Sequence, residues 1–149
     1  SPRIFSPTSH RQTGGMAMAT SDDNKVLVQR FWLGVFNDRN LALVDQLLSD
    51  NYTFNGYHNT KAQVKAFAQS IWTSWPDAHF TILDMLAEGD KVALRYTITG
   101  TLKDNGHKQE TMATNIVTVT NGLGVSNWQT GGEMEDVPSP SAGAKVKVT

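Results

Sequence analysis

Apolar residues recur at helical spacing in three stretches of the first half of the chain. Within residues 60–75, apolar residues lie at Val64 and at three, four, seven, eight and eleven positions after it. Gln63 completes a capping box with Thr60. The same spacing predicts a helix from Ser21 to about Asn37 and a short helix over residues 41–48. Three amphipathic helices are therefore expected, each burying one face.

The second half alternates between apolar and polar residues, which is typical of strands. A short strand is expected near residues 52–58, and Pro76 ends the third helix before a hairpin that turns at Gly89. A further strand over residues 109–120 turns back at Asn121-Gly122, a strong hairpin signal. The order α-α-β-α-β-β-β-β predicts an α+β fold, in which helices cover a curved antiparallel sheet shaped like a cone.

Length and composition indicate a single domain. The chain has 149 residues, of which 39% are hydrophobic and 18% charged, enough to bury one sizeable core. We expect residues 1–20 to be a disordered leader or an expression remnant, because they lack periodicity. The domain is expected over residues 21–133, followed by a flexible tail over residues 134–149.

Charge and cysteine content exclude several classes of function. The net charge is −1 with both signs interspersed, so no basic surface for nucleic acid is expected. No apolar run is long enough for a membrane span, and we expect a soluble cytoplasmic protein. There are no cysteines, and the four histidines lack the spacing of a metal site.

The chain resembles the SnoaL-like polyketide cyclases, members of the nuclear transport factor 2-like superfamily that includes ketosteroid isomerases. The resemblance rests on the order of elements and on residues 36–40, 75–77, 87–92 and 95–101, and it covers roughly residues 22–130. It implies a homodimer with a deep apolar pocket and acid/base catalysis without a cofactor.

The positions that carry chemistry in such relatives hold other residues here. SnoaL-like cyclases tend to have a histidine, a second histidine and an aspartate where this chain has Asn55, Leu102 and residues 129–132. Limonene-type epoxide hydrolases place an arginine between two acids. This chain keeps Arg95, but Thr97 and Thr130 occupy the acid positions.

Four ionisable residues are candidates for catalysis. Arg95 could polarise a carbonyl or hold an acidic substrate, although a surface or interface ion pair is the alternative. Asp84 would be a usable acid or base if its face of the strand lined the pocket. His58 follows the first strand and titrates near neutral pH, and Glu133 lies close to the position of the family's aspartate.

Aromatic and amide side chains are candidates for ligand binding. Aromatic rings would suit a planar or terpenoid ligand, and amide or hydroxyl groups would orient its oxygens. The predicted ligand-binding residues are Asn55, Tyr57, Trp72, Thr97, Asn115, Trp128 and Thr130, with further aromatic lining from Trp32, Tyr52, Phe54, Trp75 and Tyr96. For Trp32 and Trp72, which recur at helical spacing, packing in the core is the favoured alternative.

Two functions from different classes remain open. The first is an enzyme that acts by proton transfer on an apolar, oxygenated small molecule without a cofactor, by cyclisation, isomerisation, dehydration or epoxide opening, the last as a relative of limonene-type epoxide hydrolases that lacks the usual acids. The second is a non-catalytic, dimeric ligand-binding protein, consistent with the missing acids and histidines. A homodimer is expected in either case, because the β-branched strand at residues 116–120 would aggregate if left uncovered.

Overall fold

The computed structural model describes residues 20–138, which form three helices and seven strands. The helices are α1 (Ser21–Phe31), α2 (Ala42–Leu47) and α3 (Lys61–Ser74), and a π-helical turn, Trp32–Asn37, extends α1. The strands are β1 (Leu48–Phe54), β2 (Tyr57–His58), β3 (His79–Glu88), β4 (Lys91–Thr101), β5 (Lys108–Thr120), β6 (Leu123–Gly131) and β7 (Glu135–Asp136). The predictions for residues 1–19 and 139–149 lie outside the described residues.

Capping boxes begin the two longer helices. In α3, the Gln63 amide nitrogen donates to Thr60 Oγ1 at 3.1 Å, and Gln63 Oε1 accepts from the Thr60 nitrogen at 2.8 Å. Thr20 and Asp23 make the equivalent pair at α1, one residue before the predicted start. These caps satisfy backbone donors that the first helical turn leaves free.

The strands form one sheet in the order β2-β1-β6-β5-β4-β3, with β7 paired to β5. All pairs are antiparallel except β1 with β6, which is parallel. The α+β prediction is confirmed: three helices, the last of which follows β1 and β2, are combined with a curved, open sheet. The sheet is mixed rather than purely antiparallel, because β1 returns beside the last long strand.

Two one-residue irregularities change which side chains face inward. In β3 the pairing jumps from Ile82–Tyr96 to Asp84–Arg95, which leaves Leu83 as an extra residue. In β6 the pairing jumps from Gly124–Val119 to Ser126–Thr118, which leaves Val125 extra. Because side chains alternate along a strand, each bulge moves all later residues to the opposite face.

Strand β7 lies where the sequence predicts a flexible tail. Glu135 and Asp136 pair with Glu110 and Gln109 of β5, and the Val137 nitrogen donates to the Lys108 carbonyl at 2.9 Å. The ordered fold therefore continues past residue 133. Side-chain contacts of Asp136 hold this strand, and its polar sequence gives no alternation from which to predict it.

Helix α1 and its π-helical turn pack against the sheet through aromatic residues. Asn37 anchors this turn to β3, since its side-chain amide donates to the Phe80 carbonyl and accepts from the Phe80 nitrogen, both at 2.8 Å. Phe36 and Phe80 stack with ring centroids 4.7 Å apart. Among the described residues, no helix is both long and apolar enough to cross a membrane.

Candidate functional site

A pocket of about 750 Å³ lies between the helices and the inner face of the sheet. This volume is within the range of small-molecule sites. Helix α3 and the π-helical turn form one side of the pocket, and strands β1, β4 and β6 form the other. Its apolar lining consists of Phe31, Trp32, Phe36, Phe54, Val64, Phe67, Ile71, Trp75, Phe80, Ile98 and Met134.

Stacked rings form much of the pocket wall. Trp32 stacks on Phe36 at 5.3 Å between centroids and lies 4.9 Å from Tyr96. Phe80 packs against Tyr96 at 5.4 Å. Such rings present flat apolar surfaces at low conformational entropy, which suits a planar or polycyclic ligand.

Four polar side chains interrupt the aromatic wall. Asn127 and Gln129 come from β6, Tyr52 from β1 and Tyr96 from β4, and all four line the pocket. The Tyr96 hydroxyl donates to Gln129 Oε1 at 3.1 Å, and Asn127 forms a side-chain hydrogen bond with Tyr52. The polar wall therefore consists of neutral amides and hydroxyls.

Asn115 lies directly behind this polar wall. It is buried, with 1% of its surface exposed, and its Nδ2 donates to Asn127 Oδ1 at 2.9 Å and to Gln129 Oε1 at 3.1 Å. The predicted ligand-binding residue therefore supports two lining residues rather than lining the pocket itself.

Burial keeps both pocket tyrosines protonated. It raises the pKa of Tyr52 to about 12, with the Asn127 hydrogen bond acting in the opposite direction. Burial, and secondarily the neighbouring Tyr52, also raise the pKa of Tyr96. Both hydroxyls are thus neutral groups at physiological pH.

The pocket rim carries its only carboxylate among the described residues. Glu133 follows Gly131 and Gly132, and all three line the pocket together with Asn59, Gln63, Ser70 and Ser74. Glu133 is exposed. Of the four predicted catalytic residues, Glu133 alone is at the pocket.

Arg95 and Asp84 lie on the outer face of the sheet, away from the pocket. Their side chains form an ion pair, with Arg95 Nε 2.7 Å and Nη2 2.5 Å from Asp84 Oδ2. The bulge at Leu83 moves Asp84 off the face of Phe80 and Ile82. The condition for Asp84 to act as an acid or base, that its face lines the pocket, is therefore not met. For Arg95, the surface ion pair given as the alternative is the one observed.

Trp128, Thr97 and Thr130 also lie on the outer face. Trp128 is 56% exposed and pairs with Ile116, and Thr97 lies beside Arg95 on the side opposite Tyr96. If the pairing of β5 with β6 continued from the Asn121-Gly122 turn without a bulge, Trp128 would pair with Asn115, which faces inward. The bulge at Val125 pairs Gln129 with Asn115 instead, so Asn127 and Gln129 face the pocket.

Asn55, Tyr57 and His58 belong to the β1–β2 hairpin outside the pocket. Asn55 has a positive φ of 50°, and its Oδ1 accepts a 2.7 Å hydrogen bond from the Gln129 nitrogen. Tyr57 is 80% exposed, and His58 Nε2 lies 3.1 Å from the Asp50 carbonyl. Asn55 thus stabilises the position of β6, whereas Tyr57 and His58 form the edge strand β2.

Trp72 packs helix α3 onto the π-helical turn rather than lining the pocket. Its indole nitrogen donates to the Phe36 carbonyl at 3.2 Å, and the Arg39 guanidinium lies over its ring at 5.1 Å. Within the described residues, no cluster of histidine or carboxylate side chains could hold a metal ion.

Comparison with known proteins identifies the family. The SnoaL-like domain matches residues 28–127, and no curated protein matches the chain. TsrD from Streptomyces laurentii superposes with a TM-score of 0.68 at 19% identity, covering 76% of this chain and 91% of that one. A candidate polyketide cyclase from Bacillus cereus gives 0.64 at 27% identity, covering 73% and 74%.

A third structure has the same fold. The SnoaL-like polyketide cyclase from Agrobacterium tumefaciens gives a TM-score of 0.66 at 15% identity, with coverage of 78% of this chain and 94% of that one. The domain match begins in α1 and ends within β6, before the lining residues Gln129 and 131–134. The chain belongs to the SnoaL-like family, within the nuclear transport factor 2-like superfamily.

Proposed function

We propose that the pocket binds a neutral, apolar, oxygen-bearing small molecule and that the protein acts on it by proton transfer without a cofactor. The observation that carries the proposal is a pocket of about 750 Å³ that combines stacked rings with neutral amide and hydroxyl groups. A carbonyl or hydroxyl oxygen of the ligand would contact this polar wall. An unpaired anion would lose its hydration there without gaining a cationic partner.

Glu133 is the proposed acid/base group. It is the one carboxylate that lines the pocket in the described part of the chain, and a rim position lets it exchange protons with water between turnovers. A carboxylate near a carbon–hydrogen bond next to a carbonyl could accept that proton and return it elsewhere. Isomerisation, cyclisation and dehydration can all begin in this way, and membership of the SnoaL-like family supports this class of chemistry.

Two matched carboxylate substitutions test the role of Glu133. Glu133→Gln and Asp84→Asn each replace an acid by its amide, one at the pocket rim and one on the outer face. Both variants are assayed for product and for melting shift against polyketide, steroid and terpene-epoxide compounds. We expect Glu133→Gln to lower turnover by roughly 100-fold or more, while Asp84→Asn stays within about twofold of the wild type.

The outcome separates binding from catalysis. A ligand that stabilises both variants equally but is turned over only by Asp84→Asn supports the proposal. Equal turnover by Glu133→Gln and the wild type would refute the acid/base role. Absence of any melting shift with every compound class would refute the binding proposal, since a ligand of the native state raises its stability.

Non-catalytic binding is the second candidate function, and one observation favours it. The inner wall of the pocket carries amides and phenols, and Glu133 lies only at the rim. A protein of this kind would be stabilised by its ligand without forming product. Epoxide hydrolysis receives less support, because Arg95, Thr97 and Thr130 lie outside the pocket.

We also propose that the protein is a homodimer formed through the outer face of the sheet. The sequence-based reason for a dimer, an uncovered strand at residues 116–120, does not apply, since β5 lies between β4 and β6 and pairs with both. Support comes instead from a row of residues that pair across four strands, Leu86, Ala93, Ile116 and Trp128. Three of these are exposed large hydrophobic residues, and a second copy covering them would remove them from water.

A further inference from the structure

Residues 131–137, called the strap here, run from the end of β6 across the pocket rim to β7. Its first four residues line the pocket, and Met134 packs partly buried against the core. A ligand that enters on this side must pass the strap. The position of the strap therefore controls how wide the pocket mouth is.

Solvent-exposed contacts hold the far end of the strap. Asp136 Oδ2 lies 3.1 Å from His107 Nδ1, and Asp136 Oδ1 accepts from Gln109 Nε2 at 2.8 Å. More than half of each side chain in the Asp136–His107 pair is exposed. Water and salt screen exposed pairs of this kind, so they add little stability. The short backbone pairing of β7 with β5 is then the main contact that opening at this end must break.

Two glycines form the near end of the strap. Gly131 and Gly132 have φ values of +83° and +104°, a region that residues with a Cβ rarely adopt. The Gly132 nitrogen donates to the Met112 carbonyl at 3.1 Å. Consecutive glycines allow large backbone rotations, which suits a hinge at the root of the strap.

Pocket residues are connected to the strap at both ends, directly at the near end and through Gln109 at the far end. Gln129 Nε2 donates to the Gly131 carbonyl at 3.2 Å while its Oε1 accepts from Tyr96. At the far end, Gln109 bonds to Asp136 and also accepts from the indole nitrogen of Trp75 at 2.8 Å. A ligand that contacts Gln129 or Trp75 would thus affect the bonds that hold the strap.

We propose that the strap is a gate that opens by rotation at Gly131-Gly132 and closes when Asp136 engages His107 and Gln109. The open strap admits the ligand, and the closed strap places Glu133 and Met134 against it. This inference rests on the proposed binding function of the pocket. Its test is designed so that the gate and the binding function fail separately.

A disulfide across β5 and β7 tests the gate directly. Glu110 and Glu135 are paired and exposed, and directly paired residues have Cα atoms roughly 4.5–5.5 Å apart, a separation that permits a disulfide. The 149-residue chain has no cysteine, so in it Glu110→Cys/Glu135→Cys can form only this intramolecular bond. The substitution leaves Asp136, His107 and Gln109 intact.

Nile red, a neutral apolar dye with a carbonyl, is the probe for stopped-flow binding. With the disulfide formed, as shown by mass spectrometry, we expect association and dissociation to slow at least tenfold. Reduction should restore wild-type rates in the same protein. Equal rates in the oxidised and reduced forms would overturn the gate.

Hydrogen exchange without ligand tests the gate even if Nile red does not bind. Asp136→Ala removes the contacts to His107 and Gln109, whereas Glu135→Ala removes a neighbouring charge. We expect the Gly132 and Val137 amides to exchange severalfold faster in Asp136→Ala only, with β4 amides unchanged. If these amides exchange no faster than in Glu135→Ala, or only together with β4, the strap does not open independently and the gate is refuted.

Discussion

Tyr52 and Tyr96 show how burial sets the chemistry of single residues in the pocket. Both phenols line the pocket, and burial raises the pKa of each, that of Tyr52 to about 12. A hydroxyl that stays protonated can hydrogen-bond to a neutral oxygen without carrying charge. The polar wall is thus suited to recognising oxygenated ligands, and any proton transfer is left to another group.

We predict that Tyr52 ionises near pH 12. Because its pKa is higher in the folded than in the unfolded chain, where it is about 10, its neutral form stabilises the native state below pH ~10. That contribution is lost as the pH rises from about 10 to about 12. The measurement is ultraviolet titration of the phenols in the wild type and in Tyr52→Phe, with unfolding followed over the same range.

The difference between the two titrations isolates Tyr52. Its loss should remove a component near pH 12 while leaving the secondary structure unchanged. A Tyr52 component near pH 10 would show that the hydroxyl is solvated and that the pocket is more open to water than described.

Single residues were predicted unevenly from the sequence. Tyr52 and Trp75 line the pocket as the sequence predicts, because bulky rings on the buried face of an element have few other places to pack. Trp32, for which core packing is the favoured prediction, is both a core residue and part of the lining. Asn127 and Gln129 were missed, because a polar residue on a strand gives no sign of which face it occupies. Because Asn127 and Gln129 are two positions apart in β6, the sequence indicates that they share a face. It does not indicate which face, since that depends on the bulge at Val125.

At the scale of elements, two bulges explain most of the misplaced site residues. The bulge at Leu83 places Asp84 on the outer face. The bulge at Val125 places Gln129 on the pocket face and Trp128 on the outer face. A one-residue bulge leaves no clear mark in a sequence, yet it inverts every later side chain. Sequence alternation can therefore predict a strand correctly and still assign its faces wrongly.

Local signals for element ends were more informative. The Thr60–Gln63 capping box and the Asn121-Gly122 turn are both present in the structure, since each depends on residues close in sequence. Asn55-Gly56 carries the same hairpin signal and closes β1 onto β2, where the sequence analysis expects a single short strand.

Two glycine substitutions test the close packing at the root of the strap. A Cβ on Gly131 would lie 2.5 Å from the Met112 carbonyl oxygen, whereas a Cβ on Gly122 would meet nothing within 4 Å. Both positions have positive φ, +83° and +75°, so backbone strain of roughly 1–2 kcal/mol is common to both. We expect Gly131→Ala to lower the free energy of unfolding by roughly 1–3 kcal/mol more than Gly122→Ala.

Urea unfolding followed by tryptophan fluorescence measures both values. The Gly122→Ala variant serves as the control for positive φ without a clash. Equal losses in the two variants would mean that the strap root can move away from β5 without cost.

At the scale of the whole molecule, the fold was predictable and the site was less so. Three amphipathic helices followed by alternating strands leave few arrangements other than helices on one sheet face. The parallel pairing of β1 with β6 was not predictable, because these strands are far apart in sequence and neither carries a signal for its partner. Which side chains line the pocket depends on this long-range pairing of strands.

The proposed homodimer gives a prediction at the same scale. Trp128→Glu adds a charge to the apolar row on the outer face, while Gln69→Glu adds the same charge to an exposed position of α3. Burying an unpaired carboxylate at an interface is strongly unfavourable. We expect light scattering at micromolar concentration to give a dimer for the wild type and Gln69→Glu, and a monomer for Trp128→Glu. A monomeric wild type, or a dimer that tolerates Trp128→Glu, would refute this interface.

The most direct test of the account is where a neutral apolar ligand binds. Met134 lines the pocket and Met112 is 43% exposed on the outer face, so each methyl group reports on one face of the sheet. In a protein with ¹³C-labelled methionine methyls, assigned through Met134→Leu and Met112→Leu, Nile red is titrated and both signals are followed. The account predicts that the Met134 signal shifts to saturation while the Met112 signal stays in place; a shift of Met112 alone, or of neither, would contradict it.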